Sequence, residues 1–527
     1  MPQQPVDAHI SAQNRSPLAS LSAMLGICLV IMLIALDQTV VGTALPRIVA
    51  ELQGYALYPW TASAYLMTSA VMIPITGRLG DLYGRKYFVL AAIMMFTIAS
   101  ALCGAAGSML QLVLARGLQG VGGGMLVGVA FASVPDLFPD RLQRVRWQAM
   151  LSATFGISTA LGPALGGWLT EHHGWRSVFY VNLPVALLAF PMVWRFLPRI
   201  VHRHDADPRI DWLGALLLAV SICTLLVATE QSQASGFTDL RFIGLALVAL
   251  LSGIGFVRHQ HHTTAPIIPP RLFANTAVQK LSALGLLTGF TMFVLIFYSP
   301  LMLQGGFGMT PNQAGMTITP LLVSITIGSI INGRLLPRLP RPERLISYGQ
   351  AALLVCSVLL ALVSVTTSQW ETMLVFALCG LSLGFQLPNL TLQMQAAVQR
   401  HDLGVASALV QTSRMIGSMV GASLAGLIVT HRFNQHVAEA LAAAHIHNAQ
   451  TEALFATPQV LVRAADQAAL SHLALQQGFD MTQLLDQARL GLVGGIHYAF
   501  LGCTLVVLVS LIISLRLPRY VLHGPKA

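Results

Sequence analysis

The feature that most constrains the fold is a series of long apolar runs that recurs along the whole chain. A helix needs about 20 mainly apolar residues to cross a bilayer. Fourteen runs approach this length. They cover residues 19–43, 58–77, 87–106, 110–133, 147–169, 178–197, 211–229, 241–257, 279–302, 313–333, 347–366, 372–393, 405–429 and 494–515. Only 9% of all residues are charged, whereas soluble domains carry about 25%. The sequence therefore predicts an all-α polytopic membrane protein with 14 transmembrane helices.

Positive charge is concentrated in alternate loops between these runs. The loop around Arg144 and the loop from Arg334 to Arg344 belong to the rich set, and the intervening short loops are nearly bare. Loops rich in lysine and arginine face the cytoplasm. With an even number of spans, both termini are predicted to be cytoplasmic. The net charge of +10 is then a topology signal, which removes the argument for a nucleic-acid partner.

One loop differs from the others in length and composition. Residues 430–493 are rich in Ala, Gln and Leu and contain few Gly or Pro, which predicts two or three amphipathic helices on the outer face. Two interpretations stay open. The segment either caps the external mouth or is a docking surface for an extracytoplasmic partner.

Charged residues inside the apolar runs are the strongest candidates for function. Asp37, in LIALDQTVVGTALP, is the only acid well inside a run. A membrane-buried carboxylate is costly when charged, so Asp37 is either a proton-coupling site or a structural partner for a cation. Arg116 is the natural partner if the first and fourth spans are neighbours. Arg414 has no intramembrane acid in its half, so it is predicted to bind backbone carbonyls, a helix C-terminus or an anionic substrate group.

Two glycine-containing motifs accompany these charges. In GRLGDLYGRK, Gly77 and Gly84 permit a tight turn and close helix packing, and Asp81, Arg85 and Lys86 can form a charge cluster at a helix terminus. This cluster is either a latch that breaks during transport or only a turn and topology signal.

The second motif lies in the fifth run, where STALGPALGGWL contains small residues and a proline. Gly162, Gly166 and Gly167 allow another helix to pack closely, and Pro163 kinks the helix. Small-residue packing explains part of the pattern, and the Gly-Pro pair also suggests a hinge.

These motifs, together with LARGLQGVGGG, GWRSVFYVNLP and YSPLMLQGGFGMTPNQAGMTITP, resemble those of the major facilitator superfamily over nearly the whole chain. The resemblance is to its fourteen-span drug:proton antiporter family, the EmrB/QacA branch. It implies a six-helix half in residues 1–200, two inserted helices in 201–270 and a second six-helix half in 271–527. It also implies protonation at Asp37 with Arg116 as partner.

The resemblance further implies a cytoplasmic latch of Asp81 and Arg85. Two departures from the family pattern are visible. Gly42 and Thr43 stand where Asn and Val are usual, which is expected to remove a polar neighbour of Asp37. The second-half counterpart of the latch, GSIINGRLLPRLPRPERL, lacks the acid, so the gate is expected to be asymmetric.

The function expected from this resemblance is proton-coupled antiport that exports lipophilic, drug-like compounds from the cell across the inner membrane. The proton gradient drives it, and no cofactor or metal is expected. Candidate cavity residues are chosen by their position within spans. They are Gln38, Tyr65, Phe293, Tyr298, Gln304, Asn389, Gln393 and Arg414. A periplasmic adaptor protein is a possible partner through residues 430–493.

The sequence bears on four alternatives to multidrug export. Export of a single metabolite fits the sequence equally well. Proton-coupled uptake is disfavoured by the Gly-Pro motif, and a non-transporting scaffold has no use for a costly buried charge. An enzyme is disfavoured because no nucleophile–base pair or metal cluster is evident.

Overall fold

The structure is a computed structural model. It describes residues 17–52, 57, 60–138, 140–199, 210–235, 239–444, 446, 448–455, 458–461, 464–477 and 479–519. The predicted boundary between residues 200 and 201 lies outside this part of the chain.

The described residues form fourteen helices of 15 or more residues, joined by short connections. The helices are α1 (Pro17–Leu52), α2 (Trp60–Tyr83), α3 (Arg85–Ala105), α4 (Met109–Leu137), α5 (Arg141–His173), α6 (Asn182–Phe196), α7 (Trp212–Ser235), α8 (Leu240–His262), α9 (Thr276–Leu301), α10 (Pro311–Leu335), α11 (Arg344–Leu362), α12 (Gln369–Ala396), α13 (Leu403–Ala443) and α14 (Met481–Leu515). A helical turn, Ser177–Tyr180, precedes α6.

Thirteen helical segments are long and apolar enough to cross a membrane by length and composition, against fourteen predicted. The helix that does not qualify is α2, which has 24 residues. It contains several Ser and Thr residues together with Arg78 and Asp81, which lower its hydropathy. Of these residues, Arg78 and Asp81 belong to the GRLGDLYGRK motif discussed below.

The helices assemble into two bundles. In the N-terminal bundle, α1–α6, the first helix packs on α5 and α6, while α2 and α3 both pack on α4. In the C-terminal bundle, α9–α14, the closest pairs are α10 with α12, α9 with α13, and α13 with α14. The hairpin of α7 and α8 lies against α2 and α13 through α7. The bundles meet along two seams, α2 with α13 and α5 with α10.

Close packing of α2 on α4 places the charged residue of α4. A Cβ added at Gly124 would lie 2.8 Å from the Cα of Ser69, and one at Gly128 would lie 2.6 Å from the carbonyl oxygen of Ile73. Only glycine permits such an approach between two helix backbones. The approach brings the ring of Tyr65, on α2, over Arg116.

The segment between the last two spans is helical and packs on the C-terminal bundle. Helix α13 continues to Ala443, two shorter helices follow at Ala449–Leu454 and Ala464–Gln477, and α14 begins at Met481. Phe455, Val460 and Leu470 are buried in the same apolar core as Phe433 of α13 and Leu484 of α14. The segment is therefore part of the bundle's core.

Candidate functional site

The buried acid of α1 pairs with the buried cation of α4. Asp37 is 1% exposed and Arg116 is 3% exposed. Arg116 Nη1 lies 2.6 Å from Asp37 Oδ2. The pairing follows from the packing of α1 on α4, because both side chains project into the interior of the N-terminal bundle. A buried pair of this kind is stable only when further hydrogen bonds satisfy the remaining polar atoms.

Those hydrogen bonds come from residues that the sequence did not single out. Gln119 Nε2 donates to Asp37 Oδ1 at 2.7 Å, and Asn182 Nδ2 donates to the same oxygen at 3.2 Å. Both amides also donate to Ser100 Oγ, at 3.2 and 2.9 Å. The sequence does contain one indication of Gln119, because it lies three residues after Arg116 and therefore on the same helix face.

The guanidinium of Arg116 has partners besides the carboxylate. Its Nη1 donates to Gln119 Oε1 at 2.7 Å, and its Nε donates to the carbonyl oxygen of Thr61 at 3.2 Å. The guanidinium carbon lies 4.5 Å from the centre of the Tyr65 ring. If Asp37 became neutral, these contacts would still stabilise the cation.

A buried tyrosine and an exposed glutamine lie next to the ion pair. Tyr65 is 1% exposed, and its hydroxyl lies beside Gln38. Gln38 itself is exposed, although it directly follows the buried Asp37 in the chain. The boundary between buried and exposed residues of α1 therefore falls between Asp37 and Gln38.

Gly42, where the family pattern has a polar residue, lies on an open face of α1. A Cβ added at Gly42 meets no atom within 4 Å, and the residue is exposed. Position 42 therefore faces open space, and α4 and α6 supply the hydrogen-bond donors to Asp37 instead. Positions 37 and 42 lie on different faces of α1, and an effect of this departure on Asp37 stays a prediction.

A second charge cluster lies at the end of α2. Arg85 Nη2 donates to Asp81 Oδ1 at 2.6 Å, and Arg85 Nη1 lies 2.6 Å from Asp136 Oδ2. Arg85 Nη1 also donates to the carbonyl oxygen of Ala132 at 2.5 Å. Gly84, at φ 91°, turns the chain between α2 and α3, and Lys86 is half-buried beside it. Asp136 was not anticipated, although it stands near the end of α4.

The cluster reaches the other bundle through Asp81. Its two carboxylate oxygens accept the backbone N–H groups of Gly404 and Val405, both at 2.9 Å. These are the first free N–H groups of α13, where a helix dipole favours negative charge. A Cβ at Gly77 would lie 2.6 Å from the Cβ of Ala408, and one at Gly404 would collide with Asp81. The two bundles are therefore in close contact at this end.

The small-residue motif of α5 packs on α1 next to the acid. A Cβ at Gly162 would collide with Thr39 Oγ1, and one at Gly166 would lie 2.7 Å from the carbonyl oxygen of Val40. Gly167 faces no atom within 4 Å, and Pro163 lies in the middle of α5 with an exposed ring. This packing holds α5 against the helix that bears Asp37.

The family profile described as Major Facilitator Superfamily matches residues 27–422. The chain belongs to the major facilitator superfamily. The predicted all-α fold of this superfamily is confirmed. The protein is thus a multi-pass membrane transporter and not an enzyme.

Members of the superfamily similar to this chain include two proteins of Bacillus subtilis (strain 168). Multidrug transporter protein MdtP is 33% identical over 409 residues, which is 77% of this chain and 75% of that protein. Multidrug resistance protein 3 is 32% identical over 420 residues, covering 79% and 81%. The solved structure of the human organic anion transporter MFSD10 (TETRAN) superposes with a TM-score of 0.63 at 14% identity, covering 95% and 100%. That likeness concerns the superfamily fold alone.

The remaining predicted cavity residues of this superfamily member are spread through the C-terminal bundle. Phe293 is half-buried and stacks on Phe297 at 5.2 Å. The Tyr298 hydroxyl donates to the carbonyl oxygen of Ala422 at 3.0 Å, and Gln304 lies in a π-helical turn, Met302–Gly306. Tyr298 is therefore held within the bundle core.

Three further predicted residues lie on α12 and α13. Asn389 donates to Asn332 Oδ1 at 2.7 Å, while Gln393 is 5% exposed. Arg414 donates to Gln411 and has no acidic partner in the part of the chain that the structure describes. Among the described residues, no hydrogen bond or ion pair joins the six predicted residues of the C-terminal bundle to the Asp37 cluster.

Proposed function

We propose that this transporter is a proton-coupled antiporter of the fourteen-span drug:proton branch, and that it exports lipophilic, drug-like compounds by alternating access. The observation that carries the proposal is the buried carboxylate of Asp37, paired with Arg116 and held by two amide donors. An acid inside a membrane span is costly and is a candidate functional site by default, and such acids form the proton relays of pumps and transporters.

The contacts support a defined sequence of events. A proton from outside reaches Asp37 past Gln38 and Tyr65 and neutralises the carboxylate. The ion pair with Arg116 is then lost, and the carbonyl oxygen of Thr61 and the side chain of Gln119 continue to hold the cation. Loss of the pair frees α1 to move relative to α4. In the opposite state the proton leaves and substrate binds.

The orientation of the chain is part of the same proposal. The Asp81 cluster lies at the end that carries the arginine-rich loops, which we assign to the cytoplasm. Its contacts with α13 then close the cytoplasmic side, and the exposed Gln38 faces the outer one. Both termini lie in the cytoplasm of a cell whose inner membrane holds the protein.

The proposed substrate class depends on the similar proteins. Two of them, at 32 and 33% identity, are named for multidrug transport or resistance.

Residues 430–493 are proposed to act as a cap, because Phe455, Val460 and Leu470 are buried against the bundle that carries them. A periplasmic adaptor remains compatible with the exposed face of this segment.

The test is substrate-evoked proton movement in proteoliposomes with an imposed pH gradient. Asp37→Asn keeps the shape of the side chain and removes its titration, so substrate should still bind but not accumulate against its gradient. Asp486→Asn is a matched control, since its carboxylate is 58% exposed and paired only with Arg489. Concentrative transport by Asp37→Asn would overturn the proposal. A screen in which one compound alone evokes proton movement would favour a dedicated exporter.

A further inference from the structure

The second seam between the bundles contains a groove. Helices α5 and α10 approach closely at one point, where a Cβ at Gly333 would lie 2.7 Å from the Cβ of Ala149. Beside this crossing is a cavity of about 820 Å³. Its walls include Met150, Ile157 and Ile330, and the last two are exposed. The groove is therefore accessible from the surface and has an apolar lining suited to hydrocarbon.

Three arginines line one end of the same groove. Arg146 comes from the first turns of α5, Arg334 from the last turn of α10 and Arg338 from the turn that follows. All three are exposed, and none forms an ion pair with an acid among the residues described. The groove thus combines an apolar body with a cluster of unneutralised positive charge.

The α5–α10 seam differs from the α2–α13 seam in its charges. There, Asp81 of one bundle accepts two N–H groups from α13 of the other. Among the described residues that line the α5–α10 groove, both bundles contribute arginines and neither contributes an acid. Like charges that face each other across a seam repel. A bound anion would replace that repulsion by attraction to both bundles.

We propose that this groove binds an anionic phospholipid of the surrounding membrane. Its phosphate accepts hydrogen bonds from Arg146 on one bundle and from Arg334 and Arg338 on the other. Guanidinium groups match phosphate oxygens in a bidentate geometry. The acyl chains lie along Met150, Ile157 and Ile330. The apolar lining distinguishes a lipid from a free phosphate ion, which would use the arginines alone.

The binding test uses the purified full-length protein and native mass spectrometry. The protein is incubated with phosphatidylglycerol or with phosphatidylcholine at equal concentration, with and without excess inorganic phosphate. Phosphatidylglycerol should be retained about tenfold more than phosphatidylcholine, and inorganic phosphate should not displace it. Each of Arg146→Gln, Arg334→Gln and Arg338→Gln should lower its retention by about tenfold, which is the usual value of one charge-assisted hydrogen bond.

Matched variants distinguish lipid binding in the groove from a general effect of positive charge on the protein surface. Arg258→Gln removes an exposed arginine of α8 that lies outside the groove, and it should retain the lipid like the wild type. Replacement of the three groove arginines by lysine keeps the charge but loses the bidentate geometry, so retention should fall between that of the wild type and that of the glutamine variants.

Equal retention of the two lipids, displacement by inorganic phosphate or unchanged retention in all three glutamine variants would overturn the proposal. If the bound lipid also holds the two bundles together at this seam, that effect depends on the proposed alternating access. Lipid binding is measured without transport, so failure of the lipid site and failure of the proposed antiport can be told apart.

Discussion

Asp81 of the N-terminal bundle accepts the backbone N–H of Gly404, at the start of α13 in the C-terminal bundle, at 2.9 Å. The same carboxylate is paired with Arg85 at 2.6 Å. A single side chain thus neutralises a cation of its own bundle and caps a helix of the other. Separation of the bundles at this end must break the cap and leave the ion pair intact, so the contact is suited to repeated opening.

Asp81→Asn is predicted to favour the state in which this end is open. The substitution leaves Arg85 with Asp136 alone and weakens the cap on α13. Removal of one member of a buried charge pair costs about 3 kcal/mol. Distances between spin labels on the two bundles at this end should therefore shift to longer values, and export should fall at least about tenfold.

Asp140→Asn is the matched control for that variant. Asp140 lies in a nearby loop and caps α5 through the N–H groups of Leu142 and Gln143. Asparagine caps helices about as well as aspartate, so neither the label distances nor export should change. A similar response of both variants would remove the latch role from Asp81.

Gln119→Leu is predicted to destabilise the proton site. The variant leaves Asp37 without one donor and Arg116 without one acceptor. A hydrogen bond to a charged group contributes about 1.5–3 kcal/mol, so the thermal midpoint of the purified protein and its substrate-evoked proton movement should both fall. Gln111→Leu alters an exposed residue of the same helix and should change stability by no more than about 0.5 kcal/mol. Equal effects of the two variants would contradict the assigned role of Gln119.

The sequence predicted the helices and the main charged residues well, because apolar runs and intramembrane charges are local features. It also suggested the pairing of Asp37 with Arg116. It did not identify Asn182, which lies 145 residues from Asp37, or Gly404, which lies 323 residues from Asp81. An amide or a backbone N–H becomes important only when tertiary packing places it beside a charge. The exposed setting of Gly42 likewise depends on which face of α1 meets α5.

The exposed ion pair of Glu51 is predicted to give a small, acid-sensitive contribution to stability. Hydrogen bonds from Arg176 and Trp175 hold the pKa of the Glu51 carboxyl below its usual value of 4.5. A group whose pKa is lowered on folding stabilises the fold above its unfolded pKa and loses this effect as the pH falls through the folded value. The pair is half-exposed, so solvent screens it.

The check is the difference in thermal midpoint between the wild type and Glu51→Gln. This difference should be constant above pH 4.5 and should shrink as the pH is lowered further. A difference that stays the same throughout acid titration would mean that Glu51 contributes by packing and not by charge.

Substitutions of Leu470 and Leu475 are predicted to distinguish two roles for residues 430–493, a structural cap and a docking surface. Leu470 is fully buried in the core of the C-terminal bundle, whereas Leu475, on the same short helix, is 85% exposed. Truncation of a buried leucine costs about 2–5 kcal/mol, so Leu470→Ala should lower the thermal midpoint and reduce transport in proteoliposomes. Leu475→Ala should leave both unchanged, because it removes no buried contact. If Leu475→Ala instead abolishes export in cells but not in proteoliposomes, the exposed face of this helix binds a partner.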